Sequence, residues 1–146
     1  MRKFFIVLGI VLGLVLLFFI VPFPTHAQVA SVTLTWTAPG DDGAVGTATS
    51  YEMRWSATRP DTTSAAARDA WWAAATAVSG MPAPLISGTA QSKAVAPAGG
   101  FTTGQTYYFV IRAADEVPNL SGWSNVAWRF IPDTVPPAPI MDLRPG

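Results

Sequence analysis

The sequence predicts an all-β sandwich with one short helix, and three observations lead to this fold class. Several short segments alternate apolar and polar side chains, which is the pattern of half-buried strands. Clusters of Gly, Pro and Asp separate these segments and mark turns. No long helical crossover lies between successive strand patterns, so we expect them to pair as antiparallel neighbours.

The first element in the chain is an export leader. Arg2-Lys3 form a positive start, and an uninterrupted apolar run of 18 residues follows from Phe4 to Val21. A short segment ending in the small residue Ala27 completes the order of a secretory signal. We expect residues 1–27 to be a cleaved signal peptide, and the alternative is that residues 4–21 stay as an uncleaved membrane-anchor helix. Both place the remainder outside the cytoplasm, secreted or at the cell surface.

The composition of the chain argues against several classes of function. The chain has 146 residues, nine basic and nine acidic side chains, no Cys and a single His. Zero formal charge argues against nucleic-acid binding. The single residue His26 lies in the leader, so the exported part lacks both His and Cys and with them the usual general bases, nucleophile pairs and metal ligands. We therefore expect neither an enzyme nor a cofactor.

Five strands are predicted in the exported part. The alternation of the first puts Val32, Leu34 and Trp36 on one face, and that of the last puts Val126, Trp128 and Phe130 on one face. The strand patterns cover Ser31–Trp36, Tyr51–Trp55, Thr106–Ala113, Ser124–Ile131 and, more weakly, Gln91–Val95. On what reads as a solvated face, Glu52 and Arg54 are expected near Arg112.

One helix is predicted between the second strand and the Gln91 strand. Ala65 to Ala75 are good helix formers, and either Ser64 or Asp69 can cap them. Trp71 and Trp72 are neighbours, about 100° apart on a helix. We therefore expect one of the two rings to be at least partly exposed.

These segments together resemble a bacterial fibronectin type III domain. The resemblance rests on Ser31–Trp36, Thr37–Gly43, Ser50–Trp55 and Phe101–Arg112, in that order and at compatible spacing. The segment Asp69–Gly80 looks like the short helical insertion of one bacterial branch of the family, between its strands C and E. The resemblance covers about residues 31–132, within a domain of residues 28–132. It implies an immunoglobulin-like, fibronectin type III-like sandwich of two sheets without disulfides.

The resemblance also implies roles for two aromatic residues. Trp36 corresponds to the buried core tryptophan of the family, and Tyr107 to the corner tyrosine whose hydroxyl ties the preceding turn to the sheet. The family's strand A is missing here, because too few residues precede Ser31 after cleavage. The Pro-rich segment 133–146 looks instead like a linker and the start of strand A of a following module.

Three interpretations of the segment 133–146 stay open at this point. The chain is the front of a tandem array, or the segment fills the open sheet edge of a neighbouring copy, or it folds back on its own domain. Pairing with a neighbour is physically reasonable because an uncovered edge offers unpaired backbone groups. Ile140, Met141 and Leu143 would supply the apolar anchors of such self-association.

Two candidate sites accompany the fold. Asp41, Asp42, Asp115 and Glu116 lie in loops that the family topology brings to one end, where their oxygens are weak candidates for calcium ligands. The alternative is ordinary turn chemistry. Trp71 is the candidate contact residue, and its alternative role is to cover a loop of its own domain.

The function expected from these observations is a non-catalytic binding, adhesion or spacer module of a secreted or surface bacterial protein. Its partner would be a protein or a polysaccharide at the cell surface. The alternative is an accessory domain of a larger secreted hydrolase whose catalytic part lies beyond residue 146. A membrane would be contacted only through residues 4–21, if they are retained.

Overall fold

The structure is a computed structural model that describes residues 28–29, 31–117 and 119–146. Antiparallel strands dominate it, with one short helix, which confirms the predicted all-β class. The elements are β1 Gln28–Val29, β2 Val32–Thr37, β3 Ser50–Ser56, α1 Ala65–Ala74, β4 Thr76–Ala77, β5 Ala90–Val95, β6 Phe101–Thr102, β7 Gln105–Ala114 and β8 Ala127–Ile131. The leader and the choice between cleavage and anchoring fall outside these described residues.

The described residues form three antiparallel sheets, and the two described next share one core. Strand β2 pairs with β5, from Val32 opposite Val95 to Thr37 opposite Ala90. The other sheet has the strand order β4-β3-β7-β8. Strands from both sheets contribute to the core, which is consistent with a β-sandwich. Its buried residues are Val32, Met53, Val95, Phe101, Tyr107, Phe109 and Ile131.

The turn before β7 is held by a tyrosine hydroxyl. Tyr107 Oη accepts a hydrogen bond from the backbone N–H of Thr102 at 3.1 Å, as expected for this residue. Gly104 lies between the two with φ +74°, a conformation that favours glycine. The rings of Phe101 and Tyr107 pack with their centroids 4.7 Å apart. The turn is therefore fixed to the core from both sides.

Helix α1 begins and ends as its sequence predicts. The Ser64 hydroxyl, rather than Asp69, caps it by accepting the backbone N–H of Ala67 at 3.1 Å. The run of alanines favours helix, and α1 ends at Ala74. Its last carbonyls have a cationic partner, since Arg54 of β3 donates to Trp72 O at 2.9 Å.

The helix packs on the outer face of the four-stranded sheet and builds a second, smaller core. Trp71, Trp72 and Ala75 are buried there with Val110 of β7, and Trp123 packs against them. The expectation that one tryptophan of the pair would be partly exposed was wrong, because both are only 7% exposed. Trp123 contacts both rings, at centroid distances of 5.4 and 5.8 Å.

The face expected to be solvated is thus partly covered. Arg112 Nη2 does form the expected cross-strand pair with Glu52 Oε2, at 2.7 Å. Arg54, however, is turned toward the end of α1, and the Arg112 guanidinium lies 4.2 Å from the centroid of the Trp72 ring. Both cations hold the helix to the sheet, and Arg112 also forms a surface pair with Glu52.

Strand β8 is shorter than predicted and carries its apolar alternation on the outside. Ile131 points into the core and is 1% exposed, whereas Trp128 is 68% exposed. The stretch before Ala127 is irregular because Ser124 uses its hydroxyl to accept the Ile111 N–H at 3.1 Å, where a regular ladder would use a carbonyl. The alternating apolar residues of the last strand therefore lie on a partly exposed surface and not in the core.

Among the described residues, the first strand of the domain is short. Strand β1 has two residues and pairs with β6, not with β2. Within the described part of the chain, β2 is hydrogen-bonded to β5 alone. Trp36 on β2 is consequently half-buried, which corrects the expectation of a fully buried core tryptophan. Its ring meets Tyr51 edge-on at 5.4 Å.

Candidate functional site

A groove of about 480 Å³ lies on the outer face of the four-stranded sheet, next to the segment that enters α1. We call it the aromatic groove. One wall comes from the segment before the helix and the floor from β7, β8 and the residue that precedes β8. The lining residues are Arg59, Pro60 and Thr62 on the wall, and Thr106, Tyr108, Val126 and Trp128 on the floor.

The floor follows directly from strand pairing. Tyr108 on β7 stands opposite Trp128 on β8, and Thr106 stands opposite Phe130. Residues directly opposite on neighbouring strands share a face, so the two aromatic side chains lie side by side. Trp128 is 68% exposed and Phe130 48%. The sheet thus presents a flat aromatic surface to solvent at its β8 edge.

The wall is attached to the helix by two hydrogen bonds. Trp71 Nε1 donates to Thr58 O at 2.7 Å, and Arg68 Nη1 donates to Thr62 O at 3.0 Å. Trp71 therefore covers a loop of its own domain, the alternative role considered for it, and its buried ring offers no surface contact. Its contribution is to hold the segment that carries Arg59.

A local turn stiffens the same wall. The carboxylate of Asp61 accepts hydrogen bonds from the Thr63 backbone N–H at 2.9 Å and from the Thr63 hydroxyl at 2.7 Å. These two bonds, the backbone one first, lower the pKa of Asp61 below its ordinary value. The carboxylate is thus engaged within its own turn, and Arg59 supplies the charge among the groove-lining residues.

The groove has the chemistry of a binding surface. Aromatic rings form part of its floor, and its polar lining consists of the guanidinium of Arg59 and the hydroxyls of Thr62, Thr106 and Tyr108, which can form hydrogen bonds. A ligand with an apolar face and hydroxyl groups at its periphery matches this arrangement. The lining contains no pair of acid and base side chains for proton transfer.

The tail residues proposed as anchors remain in solvent. Ile140, Met141 and Leu143 are 81%, 87% and 90% exposed. Residues 133–146 join neither sheet, so the structure does not show the tail folded back on its own domain. All three interpretations of this segment are still predictions.

The four acidic residues do come together at one end. Loss of solvent and then the facing Glu116 carboxyl raise the pKa of Asp41, with further contributions from Asp42 and Asp115. Asp115 is engaged in turn chemistry, since it accepts the backbone N–H groups of Val117 and Asn119 and the side-chain amide of Asn119. The described residues contain no cluster of three or more His, Cys, Asp or Glu side chains with the geometry of a metal site.

Comparison with protein-family models, with curated proteins and with solved structures found no match to this chain. Searching the helices of the described residues found none with the length and apolar character needed to cross a membrane. The function is therefore inferred from the geometry of this molecule.

Sequence reasoning missed the aromatic groove. Trp128 and Phe130 were assigned to one face of the last strand, but alternation does not reveal which face meets the core. Ile131 carried the missing information. Residues 128 and 131 lie on opposite faces of a strand, so an inward Ile131 leaves Trp128 on the outer face. No local pattern connects Arg59 and Pro60 to the strands that form the floor of the groove.

Proposed function

We propose that this chain is a non-catalytic binding module of an exported protein, and that the aromatic groove holds a polysaccharide. The observation that carries the proposal is the bare ring of Trp128, 68% exposed beside Tyr108 on a rigid sheet. Exposed aromatic rings on a preformed surface contribute contact area with little loss of conformational entropy.

The polar rim favours a polysaccharide over an apolar partner. The C–H face of a sugar ring is electropositive and stacks on the negative face of an indole. The sugar hydroxyls then need partners at the periphery, which Arg59, Thr62 and Tyr108 supply. A neutral or acidic sugar suits Arg59, since the groove lining carries no carboxylate.

The compartment and family are part of the same proposal. The order of the leader supports export, and the two sheets, the contact from Tyr107 to Thr102 and the helix between β3 and β5 support a fibronectin type III-like module. A rigid sandwich that displays a binding face outside the cytoplasm fits adhesion or retention at a surface. Fold alone does not fix function, so the proposal rests on the groove.

The test is retention of the exported protein on a panel of immobilised polysaccharides. We expect Trp128→Ala to weaken retention by about tenfold or more, the range of a buried contact aromatic. Ile86→Ala is a matched control, because Ile86 is 67% exposed and lies outside the groove. Equal retention of both variants would contradict the groove. If Trp128→Ala instead loses retention on a protein ligand, the groove remains the binding site but its ligand is not a polysaccharide.

A further inference from the structure

A second groove opens along the unpaired edge of β2, and it reaches the main core. We call it the open seam. It has a volume of about 360 Å³ between residues 35–37 of β2 and the irregular stretch 121–125. A smaller adjoining space of about 90 Å³ is lined by the core residues Leu34, Met53 and Phe109. The sandwich is therefore not closed on this side.

The other side of the same sheet is closed by the chain itself. Val78 and Met81 pack against the main core beyond β5. Lys93 Nζ donates to Gly80 O at 2.6 Å, and Gln91 Nε2 donates to Ala83 O at 2.9 Å. The segment 78–85 thus covers the β5 edge. The β2 edge has no equivalent cover among the described residues.

Trp36 lies between the open seam and the main core. Its indole lines both adjoining spaces, and its Nε1 atom is shielded from solvent without a hydrogen-bond acceptor. A shielded donor without an acceptor is destabilising. The edge of β2 that faces away from β5 also leaves backbone N–H and C=O groups without a strand partner among the described residues.

The tail carries a segment whose pattern fits this edge. Pro139 and Pro145 frame a Pro-free run of five residues, Ile140–Arg144, which is a usual length for a strand. Met141 and Leu143 share one face of that run, with Asp142 on the other. Strand β2 has the matching division, with buried Val32 inside and Thr33 and Thr35 exposed outside.

We propose that Ile140–Arg144 of one copy adds as a strand to β2 of a second copy, placing Met141 and Leu143 in the open seam. Strand addition of this kind combines backbone hydrogen bonds with pockets for alternate side chains. The prolines at 136, 137 and 139 form a stiff, extended spacer that projects the run away from its own domain. A second copy can then receive it.

Cysteine cross-linking tests the proposal directly, because the natural chain contains no Cys. A Thr35→Cys chain is mixed with a differently tagged chain carrying Ile140→Cys, Asp142→Cys or Arg144→Cys, one at a time, under oxidising conditions. We expect a mixed disulfide dimer in the register that brings the two Cα atoms within about 4.4–6.8 Å. Ala77→Cys on the exposed edge strand β4 replaces Thr35→Cys in the control and gives none.

Two outcomes overturn the proposal. The first is a yield of mixed dimer no higher than with Ala77→Cys. The second is a Thr35→Cys/Asp142→Cys chain that closes on itself while the mixture stays monomeric, which would assign the tail to its own domain.

Sedimentation of the exported protein gives an independent measurement. We expect concentration-dependent dimers, and Met141→Asn/Leu143→Asn should weaken their association at least about tenfold. Val135→Asn, in the exposed spacer, is the control and should leave association unchanged. These tail residues lie outside the folded core, so the variants keep the domain intact. A natural protein that stays monomeric at every concentration would reject the proposal.

Discussion

One half of the outer face of the four-stranded sheet is covered by helix α1, and the other half is exposed to solvent. Under helix α1, Val110 of β7 is 1% exposed, whereas one strand further Trp128 of β8 is 68% exposed. Both positions read as apolar in the sequence. The difference comes from helix α1, which covers the middle of the face and stops before its β8 edge. An aromatic residue on a sheet is therefore a core residue or a contact residue according to what the rest of the chain lays over it.

Removing Trp72 should produce the largest loss of stability. Trp72 is buried between Trp123, Val110 and two guanidinium groups. We expect Trp72→Ala to lower the free energy of unfolding by about 3–5 kcal/mol. Trp128→Ala should lower it by less than about 0.5 kcal/mol, because that ring is exposed. Urea unfolding of both variants compares the two halves, and similar losses would contradict the comparison.

Breaking the link between Arg54 and helix α1 should cause a smaller loss of stability than removing Trp72. Arg54→Met keeps an apolar stem but leaves the carbonyls of Trp72 and Ala75 without their cationic donor. We expect a loss of about 1–3 kcal/mol. Arg129→Met, at an exposed position of β8, is the control and should change stability little. If the two substitutions have equal effects in urea unfolding, the helix is not held in the way described.

The sequence predicted the strands and the helix better than the surfaces. The alternation of Val32, Leu34 and Trp36 located β2, and Ser64 with the alanines located α1, because these signals are local. The burial of both Trp71 and Trp72 depends on Trp123, about fifty residues away, which no local pattern connects to them. The aromatic groove could not be predicted for the same reason, because its wall and its floor come from segments that are distant in sequence.

The acidic end of the molecule should show the smallest effects, with opposite signs at two neighbouring carboxyls. The pKa of Asp41 is raised by lost solvation and then by Glu116, so its ionised form opposes folding at neutral pH. Asp41→Asn should raise the melting temperature at pH 7, and the gain should vanish as the pH falls below the raised pKa.

Asp115 should behave in the opposite way. Hydrogen bonds, first from the Asn119 side chain, lower its pKa, so its ionised form contributes stability above the ordinary carboxyl pKa that is lost as the pH falls. Asp115→Asn should therefore lower the melting temperature at pH 7 and have little effect in acid. Thermal melts of Asp41→Asn and Asp115→Asn between acid and pH 7 check both predictions. Changes of the same sign in their melting temperatures at pH 7 would contradict them.

Fluorine NMR of the protein labelled with 5-fluorotryptophan tests the central claim most directly, because each of the six tryptophans reports separately. We predict that a polysaccharide retained by the protein shifts the Trp128 resonance, identified by its loss in Trp128→Ala, while the Trp71 and Trp72 resonances stay in place. A bound polysaccharide that moves Trp71 or Trp72 and leaves Trp128 unchanged would contradict the account.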